Sequence, residues 1–298
     1  MTTQITAADA GNWLLGGDLS IARMGFGAMR LPAWPQGSKP SREQAHAVLR
    51  RAVELGVNHL DTAAFYSTDG VSSNVLIREA LHPYPDGLVI VTKVGPVYGP
   101  EGAITGPMSD MRPGHHPDEL RRAVETNLTE LGVTQLDLVN LRVGGADGTF
   151  DDPIGPVFEV LAALREEGLI RHLGVSNVTP KAFAEAQKIA PVASVQNWFN
   201  IERQDDAEFV DLAAEQGVSY VPFFPLGGFE LAANEAMRAV AARHGATVAQ
   251  VSLAWLLARS PSILLIPGTG SAEHLEQNVA AAGLKLTEED LASLETVK

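Results

Sequence analysis

Cysteine is absent from this sequence of 298 residues, and so are the features of a secreted or membrane-bound protein. Without thiols the chain can form neither a disulfide framework nor a thiolate metal site. No apolar run reaches the roughly 18 uninterrupted residues that span a membrane. Residues 1–11 lack the basic start and the apolar core of a signal peptide. We therefore expect a cytoplasmic protein with no membrane partner.

Acidic residues outnumber basic ones, so the net charge is −14. A nucleic-acid surface would need clustered lysine and arginine, so no nucleic-acid partner is expected. An anionic cofactor would need a local site of cations or backbone amides. The histidines show no HxxxH or HxH spacing, and we expect no metal site.

Hydrophobic residues make up 45% of the chain, which is ample for a large core. Helix-like and strand-like patterns alternate along the whole sequence. The strand-like segments end near residues 26, 61, 93, 142, 176, 196, 223 and 267. Eight parallel strands with helices between them are typical of a closed (β/α)₈ TIM barrel, which we predict as one domain over residues 1–298. A doubly wound open sheet is the alternative.

Three additions to this α/β barrel are predicted. A turn at residues 16–18 between two apolar segments indicates a short N-terminal β-hairpin. Two helical patterns, at residues 235–244 and 248–258, occur late in the chain, where one βα unit of the barrel needs only one helix. Residues 95–117 are rich in glycine and proline and are predicted to be a long functional loop. This loop and residues 143–156 are expected to form the substrate walls.

Four chemically active side chains follow strand-like segments. Asp61 ends one segment and Tyr66 lies five residues later, whereas Lys93 and Arg142 directly follow two further segments. Because the carboxyl ends of parallel strands meet at the same rim, we expect these four side chains to converge there.

This set suits the reduction of a carbonyl group by hydride, which leaves an alkoxide that must receive a proton. A tyrosine with a pKa near 10 keeps its proton but is a reluctant acid. A neighbouring lysine lowers the tyrosine pKa, and an aspartate holds the lysine in place. Arg142 would be a further donor near the reacting oxygen. From residue types alone, a structural Asp61–Lys93 ion pair is an equally good interpretation.

Five short motifs decide between these interpretations, because their order resembles that of the aldo-keto reductase superfamily from about residue 19 to residue 282. They are Asp61-Thr62-Ala63 with Tyr66, Val91-Thr92-Lys93, Gly174-Val175-Ser176-Asn177, Val195-Gln196-Asn197 and Ile266-Pro267-Gly268-Thr269. The resemblance implies a (β/α)₈ barrel that binds NADP(H) without a Rossmann domain. The GxG fragments at 25–27 and 268–270 indeed do not extend to the dinucleotide fingerprint.

The resemblance assigns Asp61, Tyr66 and Lys93 to three positions of the catalytic tetrad, with Tyr66 as the general acid. The fourth position, usually histidine, is Arg142, so a permanently charged guanidinium replaces a titratable imidazole. A bacterial branch that includes pyridoxal reductase also carries arginine there. The implied substrate is pyridoxal or a similar small aromatic aldehyde.

The resemblance also implies the cofactor site. Ser176, Asn177 and Gln196 would hold the nicotinamide carboxamide, and Phe223 would stack on its ring. The start of the last barrel helix would bind the adenosine 2′-phosphate with backbone amides. The remaining implied contacts are Gly27, Ala28, Met29, Pro225, Leu226, Gly227, Gly268, Thr269, Gly270, Ser271, His274, Gln277 and Asn278.

Many members of the superfamily have lysine and arginine at the positions of Gly268 and His274. We therefore expect NADPH to be held less firmly here and some NADH to be used. The other expected partner is a small carbonyl substrate, and the protein is expected to be a monomer or a weak homo-oligomer. Two alternatives are a cofactor-binding regulatory subunit and a metal-dependent barrel hydrolase, the latter disfavoured by the missing ligand spacing.

Overall fold

Thirteen strands and ten α-helices are found in the computed structural model, which describes residues 5–35, 37, 39–144, 153–228, 234–295 and 297. The strands are β1 (Asn12–Leu15), β2 (Leu19–Ala22), β3 (Phe26–Gly27), β4 (His59–Asp61), β5 (Ser67–Thr68), β6 (Val71–Ser72), β7 (Val89–Val94), β8 (Pro96–Tyr98), β9 (Met111–Pro113), β10 (Leu136–Arg142), β11 (Ile170–Ser176), β12 (Val192–Trp198) and β13 (Ser219–Phe223). The helices are α1 (Arg42–Glu54), α2 (Ser73–Leu81), α3 (Pro117–Leu131), α4 (Gly155–Glu166), α5 (Pro180–Gln187), α6 (Ala207–Glu215), α7 (Glu235–His244), α8 (Val248–Arg259), α9 (Ala272–Ala280) and α10 (Glu288–Leu294).

Seven of the strands form one parallel sheet in the order β3-β4-β7-β10-β11-β12-β13. Residues 263–267 join its two edges. On one side Leu265 N donates to Arg23 O at 2.7 Å, and on the other Leu264 N donates to Tyr220 O at 3.0 Å. The sheet is therefore closed as in a (β/α)₈ barrel, and the open-sheet alternative is wrong.

The eighth position differs in detail from the predicted strand. Residues 263–267 make isolated parallel bridges, Met24 with Leu265 and Tyr220 with Ile263, instead of a continuous ladder. Pro267 has no N–H to extend the pairing. The first predicted strand is also shorter than expected, because the chain turns into a 3₁₀ helix at Ala28–Arg30 directly after β3.

Apolar side chains fill the barrel interior. Val89, Val91, Leu138, Val221, Leu264 and Ile266 belong to one buried cluster, and Leu15 and Ile21 from the antiparallel pair β1–β2 belong to it too. Every second residue of a strand points to the same side, so Lys93 lies on the side of Val91 and Arg142 on the side of Leu138. The packed interior thus carries the polar side chains at the carboxyl ends of its strands.

The first residues of helix α1 are stabilised by hydrogen bonds between Ser41 and Gln44. Ser41 Oγ accepts a hydrogen bond from Gln44 N at 3.2 Å, and Gln44 Oε1 accepts one from Ser41 N at 2.8 Å. These two reciprocal bonds form a capping box, whose sequence signature is a serine followed three residues later by glutamine or glutamate. In the sequence, two helices, α7 and α8, follow β13 before residues 263–267.

The segment 95–117 is not the structureless loop expected from its composition. Strands β8 and β9 pair antiparallel within it, and a 3₁₀ helix forms at Met108–Asp110. Tyr98 from this hairpin is buried beside Tyr66 and Phe65. Glycine and proline here make turns between short strands, which composition alone did not distinguish from a loop. In the part of the chain that the structure describes, no helix is both long and apolar enough to cross a bilayer.

Candidate active site

A cavity of about 990 Å³ lies at the carboxyl ends of the barrel strands. The four predicted catalytic residues, Asp61, Tyr66, Lys93 and Arg142, all line it. They come from β4, the turn after it, β7 and β10, and Lys93 and Arg142 lie within their strands instead of following them. The convergence expected from the strand ends is therefore what the fold produces.

Asp61 and Lys93 form a buried ion pair. Lys93 Nζ lies 2.5 Å from Asp61 Oδ1, and the two side chains are only 3% and 4% exposed. Lys93 Nζ also donates to Thr62 O at 3.1 Å, and Gln196 Nε2 donates to Asp61 Oδ2 at 2.8 Å. Both carboxylate oxygens therefore have donors, which a buried charge requires.

Tyr66 is placed against this pair, with Lys93 Nζ 4.9 Å from its ring centroid. Burial raises the Tyr66 pKa above its ordinary value, although Lys93 acts to lower it. The sequence-based expectation of a lowered tyrosine pKa is thus wrong in net direction, because desolvation of the phenolate outweighs the lysine charge. Tyr66 consequently holds its proton at neutral pH.

The Lys93 pKa moves upward too. Burial acts to lower it, but attraction to Asp61 and Tyr66 outweighs this effect. Lys93 is therefore a cation at neutral pH, available to stabilise negative charge on the neighbouring phenol oxygen.

Arg142 is buried beside the aromatic wall of the cavity. Its Cζ lies 5.1 Å from the Phe223 ring centroid, and Nη1 donates to Ser176 Oγ at 3.4 Å. Burial lowers the Arg142 pKa, but the ordinary value is so high that the guanidinium stays charged at neutral pH. The site thus holds a fixed positive charge near Tyr66.

Aromatic rings surround the catalytic end of the cavity. Trp34 and Phe65 pack on Tyr66 with centroid distances of 4.8 and 4.9 Å, and Trp198 packs on Phe224 at 5.3 Å. The sequence analysis missed Trp34, Phe65 and Phe224 as lining residues. Phe65 stands directly before Tyr66, which was an available signal, whereas nothing in the proline-rich segment around Trp34 pointed to the cavity.

The three residues expected to hold a carboxamide are placed differently from one another. Gln196 lines the cavity, and its Oε1 is buried with no hydrogen-bond partner among the described residues. Ser176 and Asn177 do not line it: Ser176 Oγ accepts from Arg142, and Asn177 Nδ2 donates to Val143 O at 2.9 Å. The unpaired buried oxygen, Gln196 Oε1, could accept a hydrogen bond from the N–H₂ group of a carboxamide.

On the side of the cavity opposite β10, the backbone of residues 266–268 lies very close to the backbone of Gly27. A Cβ on Gly27 would lie 2.5 Å from Ile266 O, and a Cβ on Gly268 would lie 2.6 Å from Gly27 O. Only glycine fits at these two positions. With the orphaned Gln196 acceptor and the Phe223 ring, this glycine-lined surface fits a nicotinamide dinucleotide.

Most of the other expected cofactor contacts also line the cavity, namely Met29, Pro225, Leu226, Gly227, Thr269, Gly270, Ser271 and His274. Ser271 caps α9, with Ser271 Oγ accepting from His274 N at 3.4 Å. Three residues do not line it. Ala28 is fully buried in the core, Asn278 is buried in α9, and Gln277 Nε2 donates to Glu273.

The structure describes all of the first expected substrate wall, residues 95–117, but only part of the second, residues 143–156. Met108 from the 95–117 segment lines the cavity. In the second wall, residues 145–152 lie outside the described residues. Among the residues that the structure describes, no group of three or more histidine, aspartate or glutamate side chains is placed to hold a metal ion.

His59 is buried two residues before Asp61 and gives a testable pH dependence. Its side chain is 1% exposed, Nδ1 has no partner among the described residues, and burial lowers the pKa to about 4. The unfolded chain takes up a proton near pH 6.5, whereas the folded protein does not. The free energy of unfolding should therefore fall by about 3 kcal/mol between pH 6.5 and 4 through this residue.

Urea unfolding at several pH values measures this effect. His59→Gln should flatten the pH dependence in that window, and His82→Gln, which alters an exposed histidine, should not. An unchanged slope in His59→Gln would show that His59 is protonated in the folded protein.

Comparison with known proteins gives a consistent result. A family model described as the aldo/keto reductase family matches residues 23–298. A pyridoxine 4-dehydrogenase of Escherichia coli (strain K12) is 47% identical over 285 residues, which cover 94% of this chain and 96% of that protein.

Solved structures show the same architecture. A thermostable aldo-keto reductase crystallised with the inhibitor epalrestat has a TM-score of 0.80 at 27% identity, covering 96% of this chain and 99% of that one. An aldo-keto reductase of Klebsiella pneumoniae crystallised with NADPH has a TM-score of 0.76 at 26% identity, covering 95% of this chain and 93% of that one.

Proposed function

Since the chain belongs to the aldo/keto reductase family of oxidoreductases, we propose that it is an NADPH-dependent reductase that converts an aldehyde or ketone to an alcohol. The observation that carries this proposal is the buried arrangement of Tyr66, Lys93 and Asp61 at the cavity floor. NADPH is the proposed cofactor because the Klebsiella relative was crystallised with it and the cavity fits a dinucleotide.

The bound nicotinamide would supply the hydride, and this chain's residues would handle the proton. Tyr66 Oη gives its proton to the carbonyl oxygen as negative charge develops there. Lys93 stabilises the phenolate that remains, and Asp61 holds Lys93 in position through the 2.5 Å contact. Gln196 orients the carboxamide with its free Oε1 and anchors Asp61 with its Nε2.

We propose pyridoxal, or an aldehyde of the same chemistry, as the substrate. The Escherichia coli relative is named for the corresponding alcohol, and pyridoxal is an aromatic aldehyde with an acidic hydroxyl on the adjacent ring carbon. Trp34 and Trp198 offer aromatic faces to such a ring. The buried Arg142 guanidinium would pair with the ionised hydroxyl while Tyr66 protonates the carbonyl oxygen.

The direct test is the loss of NADPH absorbance with pyridoxal, beside 4-nitrobenzaldehyde and a control without substrate. Strong preference for pyridoxal would support both the reaction and the substrate. Turnover of the nitro compound alone would keep the reductase and reject pyridoxal. Tight NADPH binding with no turnover of any aldehyde would instead favour the regulatory-subunit alternative.

Arg142 should set both the substrate preference and the pH profile. The wild-type protein should prefer pyridoxal to pyridine-4-carbaldehyde, because only the former offers an oxygen anion next to the carbonyl group at neutral and mildly acidic pH. Arg142→His should lose this preference above about pH 7, where an imidazole is neutral, and regain part of it at lower pH. The ratio of kcat/KM for the two aldehydes, measured from about pH 6 to 9, checks this prediction. A ratio that does not change with the substitution or with pH would contradict it.

A further inference from the structure

A second group of polar side chains lies behind the catalytic residues, between the strands and the helices. Its members are neutral and at most 1% exposed, namely Thr62, Ser73, Asn74, Thr92 and Asn127. None of the five is among the described residues that line the cavity. Buried polar groups need hydrogen-bond partners, so these side chains must be arranged to satisfy one another. The proton chemistry described above does not use them.

Two of the five are next to a catalytic residue in the sequence. Thr62 follows Asp61, and Thr92 precedes Lys93. Because successive residues of a strand point to opposite sides, the threonines point toward the helices where the ion pair points into the barrel. Thr62 N donates to Val91 O at 2.8 Å, which joins the two strands at this level. A shift of either threonine therefore moves its catalytic neighbour.

Asn127 on α3 and Asn74 on α2 connect the two threonines. Asn127 Oδ1 accepts hydrogen bonds from Thr92 Oγ1 at 2.6 Å and from Asn74 Nδ2 at 2.8 Å. Asn74 Oδ1 accepts one from Thr62 Oγ1 at 2.8 Å. Asn127 Nδ2 donates to Ala123 O at 2.8 Å, which fixes the orientation of the amide group. Its oxygen is therefore presented to both donors at once.

The turn that carries Tyr66 is tied to the same group through Ser73, the first residue of α2. Ser73 N donates to Tyr66 O at 2.9 Å, and Ser73 Oγ donates to Ala63 O at 3.2 Å. Ser73 Oγ also lies 2.7 Å from Thr62 Oγ1. Helix α2 thus holds the backbone of the turn, and Asn74 joins α2 to α3.

We propose that Asn127 is a positioning residue for the transfer of the Tyr66 proton. It joins β7, which carries Lys93, to the helix that holds the Tyr66 turn, and so it fixes the separation of the two groups. Lys93 Nζ lies 4.9 Å from the Tyr66 ring centroid, and the stabilisation that a cation gives a phenolate falls with distance. This inference rests on the proposed reductase function and extends it to a residue outside the cavity.

The experiment measures single-turnover reduction of pyridoxal and of 4-nitrobenzaldehyde by the enzyme–NADPH complex, so that product release does not limit the rate. Thr92→Val removes the hydroxyl group that binds Asn127 and keeps the branched shape of the side chain. It should lower the rate about tenfold, because misplacing reacting groups by about 1 Å costs about a hundredfold. Kd for NADPH should stay within about twofold. Thr92→Ser keeps the hydroxyl group and should restore the rate to within about threefold of wild type.

A double variant tests whether Thr92 and Asn127 act through one hydrogen bond. Asn127→Leu should slow the reaction at least as much as Thr92→Val. The double variant should be no slower than Asn127→Leu alone, because the shared bond is already lost. Val124→Ala, at a buried apolar position on the same helix, is the control for lost stability. It should lower the unfolding temperature and leave the single-turnover rate within about twofold of wild type.

The remaining outcomes would overturn the inference in distinct ways. A wild-type rate in Thr92→Val would show that the bond to Asn127 does not position the reacting groups. Equal slowing by Thr92→Val and Val124→Ala would show that general loosening of α3 is responsible. Losses that multiply in the double variant would mean two independent effects. If the wild-type protein reduces no aldehyde, the proposed function itself fails, which separates that failure from failure of the positioning role alone.

Discussion

Tyr66→Phe is expected to lower kcat for aldehyde reduction by about 10²–10⁴-fold, the usual contribution of a positioned general acid. The substitution removes a single oxygen atom and keeps the ring that packs between Trp34 and Phe65. Because Gln196 and the glycine-lined wall are untouched, Kd for NADPH should stay near the wild-type value. Steady-state kinetics and a fluorescence titration check the two halves of this prediction.

Tyr98→Phe is the matched control. Tyr98 belongs to the same buried aromatic cluster as Tyr66 but does not line the cavity, so its loss of a hydroxyl should leave kcat within about twofold. Wild-type turnover in Tyr66→Phe would refute Tyr66 as the acid. An equal loss in both variants would mean that the cluster's packing, and not the Tyr66 proton, limits the reaction.

Lys93→Met is expected to be damaging in two ways. It strands the Asp61 charge in a site where both side chains are almost wholly buried, which costs about 3–5 kcal/mol in the free energy of unfolding. That is a large part of the total stability of a typical protein, about 5–15 kcal/mol. It also removes the charge that opposes the burial effect on the Tyr66 pKa, so the phenol becomes a poorer acid.

A second variant separates stability from catalysis. In Asp61→Asn/Lys93→Met the stranded charge is gone, so urea unfolding should show that most of the lost stability is recovered. Reductase activity should stay low, because no cation remains beside Tyr66. Lys188→Met, at an exposed position, should change neither quantity. Recovery of activity in the double variant would contradict the proposed role of Lys93 in supporting Tyr66.

The sequence was sufficient for the parts of the site that depend on strand order. A parallel barrel brings all strand ends to one rim, so Asp61, Lys93 and Arg142 could be placed together without coordinates. Their roles and that of Tyr66 came from the residue types and the resemblance, and they stay proposals until they are measured. Gln196 and Phe223 came from the resemblance, and the structure places them on β12 and β13 in the cavity lining.

Other parts of the site depend on three-dimensional proximity that no local pattern encodes. Trp34 lies among the prolines 32, 35 and 40, where no helix or strand pattern gave a reason to place it at the cavity, yet this segment packs against residues 268–271 through Pro40 and Gly270. The contact joins positions more than two hundred residues apart in sequence. Periodicity reports only on neighbours within one element, so it could not reveal such a contact.

The sequence by itself determined the alternation of strands and helices, the family and the chemistry available at the rim, because period and residue type are local properties. Tertiary structure decided three further matters: that residues 263–267 close the barrel with isolated bridges, that burial outweighs Lys93 in setting the Tyr66 pKa, and that the Gly27 carbonyl leaves no room for a side chain at position 268. Each depends on distance and desolvation, which arise only when remote segments of the chain pack together.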